Sequence, residues 1–214
     1  GHLPGRPDII WGFGYSGKPT GIGWGPARIA RAWAELMKRL GYERYVAQGG
    51  DWGAVVVDLM GVQAPKGLLA IHTNMAGVVP ADIDAAAFSG APTPSGLSDD
   101  EKVAYEGIRF VYQKGIAYGF QMGLRPQTLY GIADSPAGLA AYFLDHDARS
   151  YALIARVFAG QSEGLTRDDI LDNITHTWLT NTAISGARLY WEYFGNGYFN
   201  VKGVSIPVAV SVFP

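Results

Sequence analysis

The residues with the clearest chemical meaning form the run Gly49-Gly50-Asp51-Trp52-Gly53, which lies between a predicted strand and a predicted helix. Small residues two positions before and two positions after a nucleophile are typical of a nucleophile elbow, where a tight, strained turn raises the side chain into a pocket. Such a turn would place the backbone N–H of Trp52 to stabilise an oxyanion at the start of the helix. The alternative is that Asp51 merely caps that helix, because Asp is a common N-cap residue.

An aspartate in the nucleophile position limits the chemistry of Asp51. A carboxylate can attack an sp3 carbon that carries a leaving group, and it forms an alkyl ester with that carbon. It is a poor choice for opening amides or esters. The elbow therefore favours substrates such as epoxides and haloalkanes.

The elbow lies within an alternation of strands and helices. Short apolar runs at 9–11, 45–48 and 68–72 predict buried strands, and apolar residues at three- and four-residue spacing predict an amphipathic helix over 26–40. A helix of small residues is expected over about 54–60. This alternation indicates a parallel sheet covered by helices, so the predicted fold class is α/β.

The character of the sequence changes after Met75. Residues 78–98 are rich in Ala, Pro, Gly and Ser and are interpreted as a linker or an excursion of the chain, and Ser98 is a suitable N-cap for a helix that follows. Thr166 to Asp169 match a capping box only loosely. Further helices are predicted over 99–119, 135–144, 150–158 and most of 166–193, and a last strand over 205–212.

This pattern predicts an α/β core that is interrupted by a helical insertion. We expect a partial core in residues 1–76, a helical cap in residues 77–202 and a return strand of the core in residues 203–214.

The composition argues against several classes of protein. Of the 214 residues, 48% are hydrophobic and 17% are charged, so the chain can bury a sizeable core. A net charge of -2 without a basic block disfavours nucleic-acid binding, and the absence of cysteine excludes disulfides and thiolate metal sites. No apolar run reaches the about 20 residues that span a bilayer, and no signal-peptide pattern is present at the start. We expect a cytoplasmic location.

Several further motifs follow one another in order along the chain. They are Gly12-Phe13-Gly14-Tyr15-Ser16-Gly17-Lys18-Pro19, the elbow, Ile71-His72-Thr73-Asn74-Met75, Tyr118, Arg125-Pro126-Gln127-Thr128, Asp134-Ser135-Pro136-Ala137-Gly138-Leu139-Ala140-Ala141, Arg188-Leu189-Tyr190 and Ile206-Pro207-Val208-Ala209-Val210-Ser211-Val212-Phe213-Pro214. In this combination the motifs resemble the microsomal-type branch of the epoxide hydrolases, over nearly all of the chain after Gly12.

The resemblance implies an α/β-hydrolase core with an inserted helical cap, which matches the insertion predicted above. It also implies opening of a small apolar epoxide to a vicinal diol through an ester on Asp51, a detoxification chemistry that needs no cofactor and no metal. Two cap tyrosines would hold the epoxide oxygen, and by motif position they are Tyr118 and Tyr190. A phenol can donate a hydrogen bond to the oxygen as negative charge develops, without ionising at neutral pH.

Aromatic residues near these motifs are the expected pocket lining. Trp52, Phe120 and Trp191 suggest a bulky apolar substrate. Of the remaining tyrosines, Tyr112, Tyr142 and Tyr193 are expected to pack in the interior rather than to act on substrate. A homodimer is one assembly that the sequence leaves open.

The resemblance further implies residues that this chain does not show. An acid and a histidine that activates water would follow the strand ending at Pro214, and further strands with an oxyanion loop would precede Gly12. The four histidines that are present are expected to be structural or exposed rather than catalytic. They are His2, His72, His146 and His176. We therefore expect this chain to be part of a longer protein, or to be completed by another segment.

Two other functions stay open. A haloalkane dehalogenase shares the fold and the aspartate nucleophile, and Trp52 would suit a halide site. A non-catalytic ligand-binding module is the second alternative, because no hydrolytic base is identified. A serine esterase is disfavoured, since Ser16 lies in a loop rather than between a strand and a helix.

Overall fold

The computed structural model describes residues 14–161 and 163–213, which group into two compact units. The first unit contains the described residues of 19–112 and 195–213, and the second contains those of 14–18 and 113–194. The strand expected at 9–11 lies outside the described residues.

The first unit carries a three-stranded parallel sheet in the order β1 (Tyr45–Gly49), β2 (Leu68–Thr73) and β3 (Val208–Val210). Gly49 lies opposite Thr73, and Thr73 lies opposite Val210, so the carboxyl ends of the three strands meet at one edge. This confirms the predicted parallel sheet. The last strand is shorter than the predicted 205–212, because Pro207 has no N–H to give to a ladder.

One helix packs on this sheet, and a second helix packs on the first. Helix α1 (Pro26–Arg39) begins at a proline, ends before Gly41 and buries Ile29 and Ala30, as its apolar spacing predicts. Helix α2 (Trp52–Gln63) packs on α1, β1 and β2 and is longer than the predicted 54–60. Helix α2 is apolar on most of its faces, and most of its residues between Ala54 and Gly61 are buried. It is therefore the central helix of the unit.

The interpretation of residues 78–98 as a linker is wrong in its first half, where α3 (Ala81–Ser89) forms. The alanines in this stretch are strong helix formers, Pro80 precedes the first turn and Gly90 ends the helix in a left-handed conformation. Helix α4 (Asp99–Phe110) follows with Ser98 as its N-cap. Ser98 and Glu101 form a complete capping box, as the sequence suggests.

The predicted single helix over 99–119 is interrupted. Helix α4 ends at Phe110, one π-helical turn covers Val111–Gly115, and Ile116 has the non-helical angles φ -119 and ψ 33. Gly115 weakens the helix at this point, and the wider turn accommodates the buried ring of Tyr112.

The second unit is helical. Its core consists of Leu129, Ile132, Leu139, Val157, Ile170, Ile174 and Ala187. Its helices are α5 (Ala117–Leu124), α6 (Tyr130–Asp134), α7 (Pro136–Leu144), α8 (Ala148–Phe158), α9 (Arg167–Leu179) and α10 (Ala187–Tyr193), with 3-10 turns at Pro126–Leu129 and Ala183–Gly186.

The helical prediction for 166–193 holds apart from a break after α9, where Asn181 adopts a left-handed φ of 51°. Asn is among the few residues that tolerate this conformation. The loosely matched capping box at the start of α9 is complete, since Thr166 and Asp169 exchange both hydrogen bonds.

The compact units differ in extent from the three parts expected along the sequence. The boundaries at 77 and 202 follow the change of composition, whereas contacts place α3, α4 and the segment from 195 with the sheet. The extent of the functional cap at 77–202 stays a prediction.

Candidate active site

Asp51 lies in a strained turn between β1 and α2. Its backbone angles are φ 53 and ψ -128, whereas an ordinary N-cap residue has extended angles. A non-glycine residue in this region of the Ramachandran plot costs free energy that the surrounding structure must offset. The conformation therefore separates Asp51 from a simple helix cap and matches the strained turn of a nucleophile elbow.

Two glycines before Asp51 permit the close contacts of this turn. A Cβ at Gly49 would lie 2.1 Å from the carbonyl oxygen of Gly53, and a Cβ at Gly50 would lie 2.9 Å from Asn74 Oδ1. Around a Cβ at Gly53, however, no described atom outside its chain neighbours and its own helix backbone lies within 4 Å. The close approach at Gly53 therefore involves the backbone of this residue, which a Cβ at Gly49 would meet, and not a Cβ of its own.

The backbone N–H of Trp52 donates a hydrogen bond of 2.5 Å to Oδ1 of Asp51. This N–H belongs to the first turn of α2, where unpaired N–H groups favour negative charge. The carboxylate of Asp51 is exposed. The N–H that was expected to bind an oxyanion is thus aimed at the carboxyl group of Asp51 itself.

The indole ring of Trp52 makes an edge-to-face contact with Tyr198, with centroids 5.3 Å apart. Tyr198 in turn lies 6.5 Å from the ring of Tyr112, which is 1% exposed and packs in the interior. Sequence reasoning did not identify Tyr198. Its only signal was its place among the aromatic residues before the last strand.

A buried group of charges anchors the segment that carries Tyr198. The Lys202 ammonium donates to the carbonyl oxygens of Tyr198 and Asn200, both at 3.0 Å. Asp58 accepts from the Gly77 N–H at 3.1 Å, and Asp84 accepts from the Tyr112 hydroxyl at 2.7 Å.

Burial shifts the pKa of each ionisable group in this cluster. It raises the pKa of Asp58 and of Asp84, while the hydrogen bonds from Gly77 and Tyr112 and the charge of Lys202 oppose the rise. It lowers the pKa of Lys202 and, together with Asp84, raises the pKa of Tyr112. The cluster joins α2, α3 and the 195–204 segment.

In the second unit, the structure brings Tyr118 and Tyr190 together. Their ring centroids are 5.8 Å apart, with an interplanar angle of 78°. The ring of His146 lies 4.7 Å from that of Tyr118, and His146 Nδ1 lies 2.8 Å from a carboxylate oxygen of Asp147. The two tyrosines chosen by motif position are therefore neighbours, on α5 and α10.

Small residues on α5 allow α10 to approach. A Cβ at Gly119 would lie 3.0 Å from the ring of Tyr190, and a Cβ at Gly123 would lie 2.2 Å from the ring of Phe194. Phe120 packs edge-to-face on Phe194 at 5.6 Å. The spacing of the two glycines, four residues apart on one helix face, was a signal that sequence reasoning missed.

Of the aromatic residues expected to line the pocket, Trp191 is 49% exposed. It follows Tyr190 directly on α10, and consecutive helical residues point about 100° apart. Phe120 is half-buried, and Trp52 is half-buried beside Asp51. A shared pocket lined by all three residues stays a prediction.

The described histidines each contact another side chain. His72 Nε2 lies 2.9 Å from Ser211 Oγ, His146 pairs with Asp147, and His176 hydrogen-bonds with Tyr15 in the loop that begins the second unit. Among residues 14–161 and 163–213, no group of three or more side chains is arranged to hold a metal ion. In the same part of the chain, no helix has the length and apolar character needed to cross a membrane.

Comparison with known proteins identifies relatives that are named as epoxide hydrolases. The chain is 42% identical to a candidate epoxide hydrolase of Stigmatella aurantiaca over 99% of this chain and 44% of that protein. It is 31% identical to the juvenile hormone epoxide hydrolase of Bombyx mori over 93% of this chain and 45% of that protein. The chain thus spans about half the length of the curated relatives it matches. No family model matches it.

Solved structures show the same relationship. The crystal structure of juvenile hormone epoxide hydrolase from the silkworm Bombyx mori superposes with a TM-score of 0.67 at 29% identity, over 94% of this chain and 50% of that one. The Aspergillus niger epoxide hydrolase superposes with a TM-score of 0.67 at 26% identity, over 96% of this chain and 49% of that one. These neighbours confirm the predicted α/β-hydrolase fold, of which the chain carries part of the core and a helical cap.

Proposed function

We propose that this chain, a homologue of epoxide hydrolases in sequence and in fold, carries the nucleophile and the oxygen-binding tyrosines of an epoxide hydrolase. The reaction would open an epoxide to a vicinal diol through an ester on Asp51. The observation that carries the proposal is the strained backbone of Asp51, whose carboxylate accepts the Trp52 N–H.

In the first step, a carboxylate oxygen of Asp51 attacks a ring carbon of the epoxide and the carbon–oxygen bond of the ring breaks. Because the Trp52 N–H binds Oδ1, Oδ2 is the oxygen assigned to the attack and Oδ1 becomes the ester carbonyl. The hydroxyls of Tyr118 and Tyr190 donate to the epoxide oxygen as it gains negative charge, and one of them supplies its proton.

In the second step, water adds to the carbonyl carbon of the ester. Negative charge develops on Oδ1, where the Trp52 N–H and the start of α2 stabilise it. Collapse of this intermediate breaks the ester bond and restores the carboxylate. One proton of the water goes to the departing alkoxide, which leaves as the diol, and the other returns to the tyrosine that was ionised in the first step, so one epoxide and one water give one diol. The proposal assigns no residue of this chain as the base for this water.

The substrate in this proposal is a small apolar epoxide. The aromatic rings of Trp52 and Tyr198 beside the nucleophile support an apolar substrate, since such rings bury apolar surface. The paired phenols support an oxygen leaving group rather than a halide, because two neutral donors suit a developing alkoxide.

The test is intact-protein mass after incubation with styrene oxide. Wild type should gain one epoxide mass or turn the epoxide over to diol, whereas Asp51→Asn should do neither, because an amide is not a competent nucleophile. Asp82→Asn, which changes an exposed carboxylate in α3 of the same unit, is the matched control and should behave as wild type.

An adduct or a diol that persists in Asp51→Asn would contradict the assignment of the nucleophile. If wild type gives no adduct and no diol with any aryl or alkyl epoxide, the epoxide hydrolase proposal fails. Halide release from a bromoalkane without epoxide opening would favour the haloalkane dehalogenase alternative.

The cytoplasmic location and the homodimer stay predictions. Fractionation and size-exclusion chromatography of the native protein would test them.

A further inference from the structure

Tyr142 has a hydroxyl group that the packing of its unit leaves without a hydrogen-bond partner. The ring packs against the helical core of the second unit, and its Oη is buried with no partner among the described residues. Two buried tyrosines of the first unit differ, since the Tyr105 hydroxyl donates to the Ala91 carbonyl at 2.8 Å and the Tyr112 hydroxyl to Asp84. A buried hydroxyl without a partner costs free energy, so packing alone does not account for this one.

The surroundings of Tyr142 point to Tyr118 as its partner in the working protein. His146, four residues after Tyr142 and just beyond the end of α7, packs on the Tyr118 ring with centroids 4.7 Å apart and an interplanar angle of 35°, so the segment that follows α7 lies beside Tyr118. Burial, with a further contribution from Tyr118, raises the pKa of Tyr142 to about 12. The Tyr142 phenol therefore keeps its proton throughout the neutral range and is close enough to Tyr118 to interact electrostatically.

We infer that Tyr142 is a positioning residue for the proposed reaction, whose hydroxyl donates to the Tyr118 oxygen while Tyr118 donates to the epoxide oxygen. The inference rests on the proposed function. A hydroxyl that accepts one hydrogen bond becomes a better donor of another, because each bond polarises the next. We call the two hydrogen bonds from Tyr142 to Tyr118 and from Tyr118 to the substrate the relay. The relay holds the Tyr118 hydroxyl in the orientation that points its hydrogen at the epoxide oxygen, and it gives the buried Tyr142 hydroxyl a partner.

The first test is a double-mutant cycle on the rate at which styrene oxide is consumed in a single turnover. Tyr142→Phe removes only the hydroxyl and should lower the rate about 5-fold, the effect of one hydrogen bond. In the background of Tyr118→Phe, the same change should have no further effect, because the group it acts through is absent. Tyr151→Phe, at an exposed position on α8, is the matched control and should leave the rate unchanged.

A purely structural role predicts different results. It would lower the melting temperature of Tyr142→Phe and would slow the reaction by the same factor with or without Tyr118. The relay predicts instead that the rate factor depends on whether the Tyr118 hydroxyl is present, whatever the melting temperature of Tyr142→Phe. Equal rate factors in the two backgrounds, or no rate change in Tyr142→Phe, would overturn the inference.

A second measurement does not depend on catalysis. In protein labelled with carbon-13 at the tyrosine Cζ, the Tyr118 resonance, assigned from Tyr118→Phe, should move in Tyr142→Phe and stay in place in Tyr151→Phe. A Tyr118 resonance that does not move would overturn the relay even if the enzyme turns over epoxide. If the Tyr118 resonance moves but the protein does not react with epoxides, the hydrogen bond between Tyr142 and Tyr118 stands and the proposed function is wrong.

Discussion

The two units position their candidate catalytic groups by different means. In the first unit, the backbone holds Asp51 in place: β1 and α2 fix a turn in which Gly49 touches the carbonyl of Gly53 and the Trp52 N–H binds the carboxylate. In the second unit, side chains hold Tyr118 and Tyr190 through ring contacts between α5 and α10. Backbone contacts cannot yield without moving a strand or a helix, whereas rings can rotate, so the first unit should tolerate less change.

The largest expected effect is that of Gly49→Ala. The new Cβ would meet backbone atoms of Gly53 and Ala54, which cannot move without opening the turn, and we expect a loss of about 4 kcal/mol in the free energy of unfolding. Reaction of Asp51 with styrene oxide should disappear with it. Urea denaturation and intact mass measure the two effects.

The control for that change is Gly53→Ala, two residues after the nucleophile. Its Cβ meets no described atom within 4 Å outside its chain neighbours and its own helix backbone, and Ala favours a helix over Gly by about 1 kcal/mol, so this variant should be as stable as wild type or more stable. Equal destabilisation by the two variants would contradict the backbone account of the elbow.

A smaller effect is expected from Gly123→Ala in the second unit. Here the new Cβ meets the ring of Phe194 rather than backbone, so the ring can turn aside at a cost of about 1 to 2 kcal/mol. The displaced ring should loosen the contact between α5 and α10 and slow the reaction through Tyr190. Thermal unfolding and single-turnover rates measure both.

Gly131→Ala in α6 is the control, because outside its chain neighbours and its own helix backbone no described atom lies within 4 Å of its Cβ. If Gly123→Ala destabilises the protein as much as Gly49→Ala does, the contrast between backbone and side-chain positioning is wrong.

The smallest expected effect is a difference between the units in how stability depends on pH. Burial raises the pKa of Asp84 above its unfolded value of 3.8, so the folded state keeps this proton to higher pH. Its contribution to stability is fully present below 3.8 and is lost as the pH rises through the raised value. Asp84→Asn, which can still accept from Tyr112, should therefore gain stability relative to wild type across that window.

In the second unit, Asp147 should show the opposite sign. The Ser150 N–H, followed by His146 and the Ser150 hydroxyl, holds the pKa of Asp147 well below its unfolded value of 3.8. Its contribution is present above 3.8 and is lost as the pH falls through the lowered value. Asp147→Asn should be less stable than wild type at neutral pH, and the deficit should shrink in acid. Urea midpoints across pH 3 to 8 that run parallel for wild type and both variants would contradict both assignments.

Local sequence patterns predict most of the helices and strands, but they do not predict the points at which helices are interrupted. The spacing of Ile29 and Ala30 and the stops at Pro26 and Gly41 predict α1 closely, because they act within one helix. Helix α3 was missed because its alanines resemble a linker in composition, and its buried face, which includes Ala87, packs against other parts of the chain. Tyr112, in the π-helical turn, likewise makes a contact that is distant in sequence, since its hydroxyl donates to Asp84.

The sequence by itself determined the chemistry that Asp51 can perform and the nature of the turn that presents it. Glycine, aspartate and the change from strand to helix act within five residues, so their effect is local. It also pointed to Tyr118 and Tyr190 through motifs that resemble a family. Only the tertiary structure decided which groups surround these residues: Tyr198 on Trp52, Asn74 on Gly50 and His146 on Tyr118. These contacts join residues far apart in sequence, and the free energy of burial and packing, rather than any local preference, brings them together.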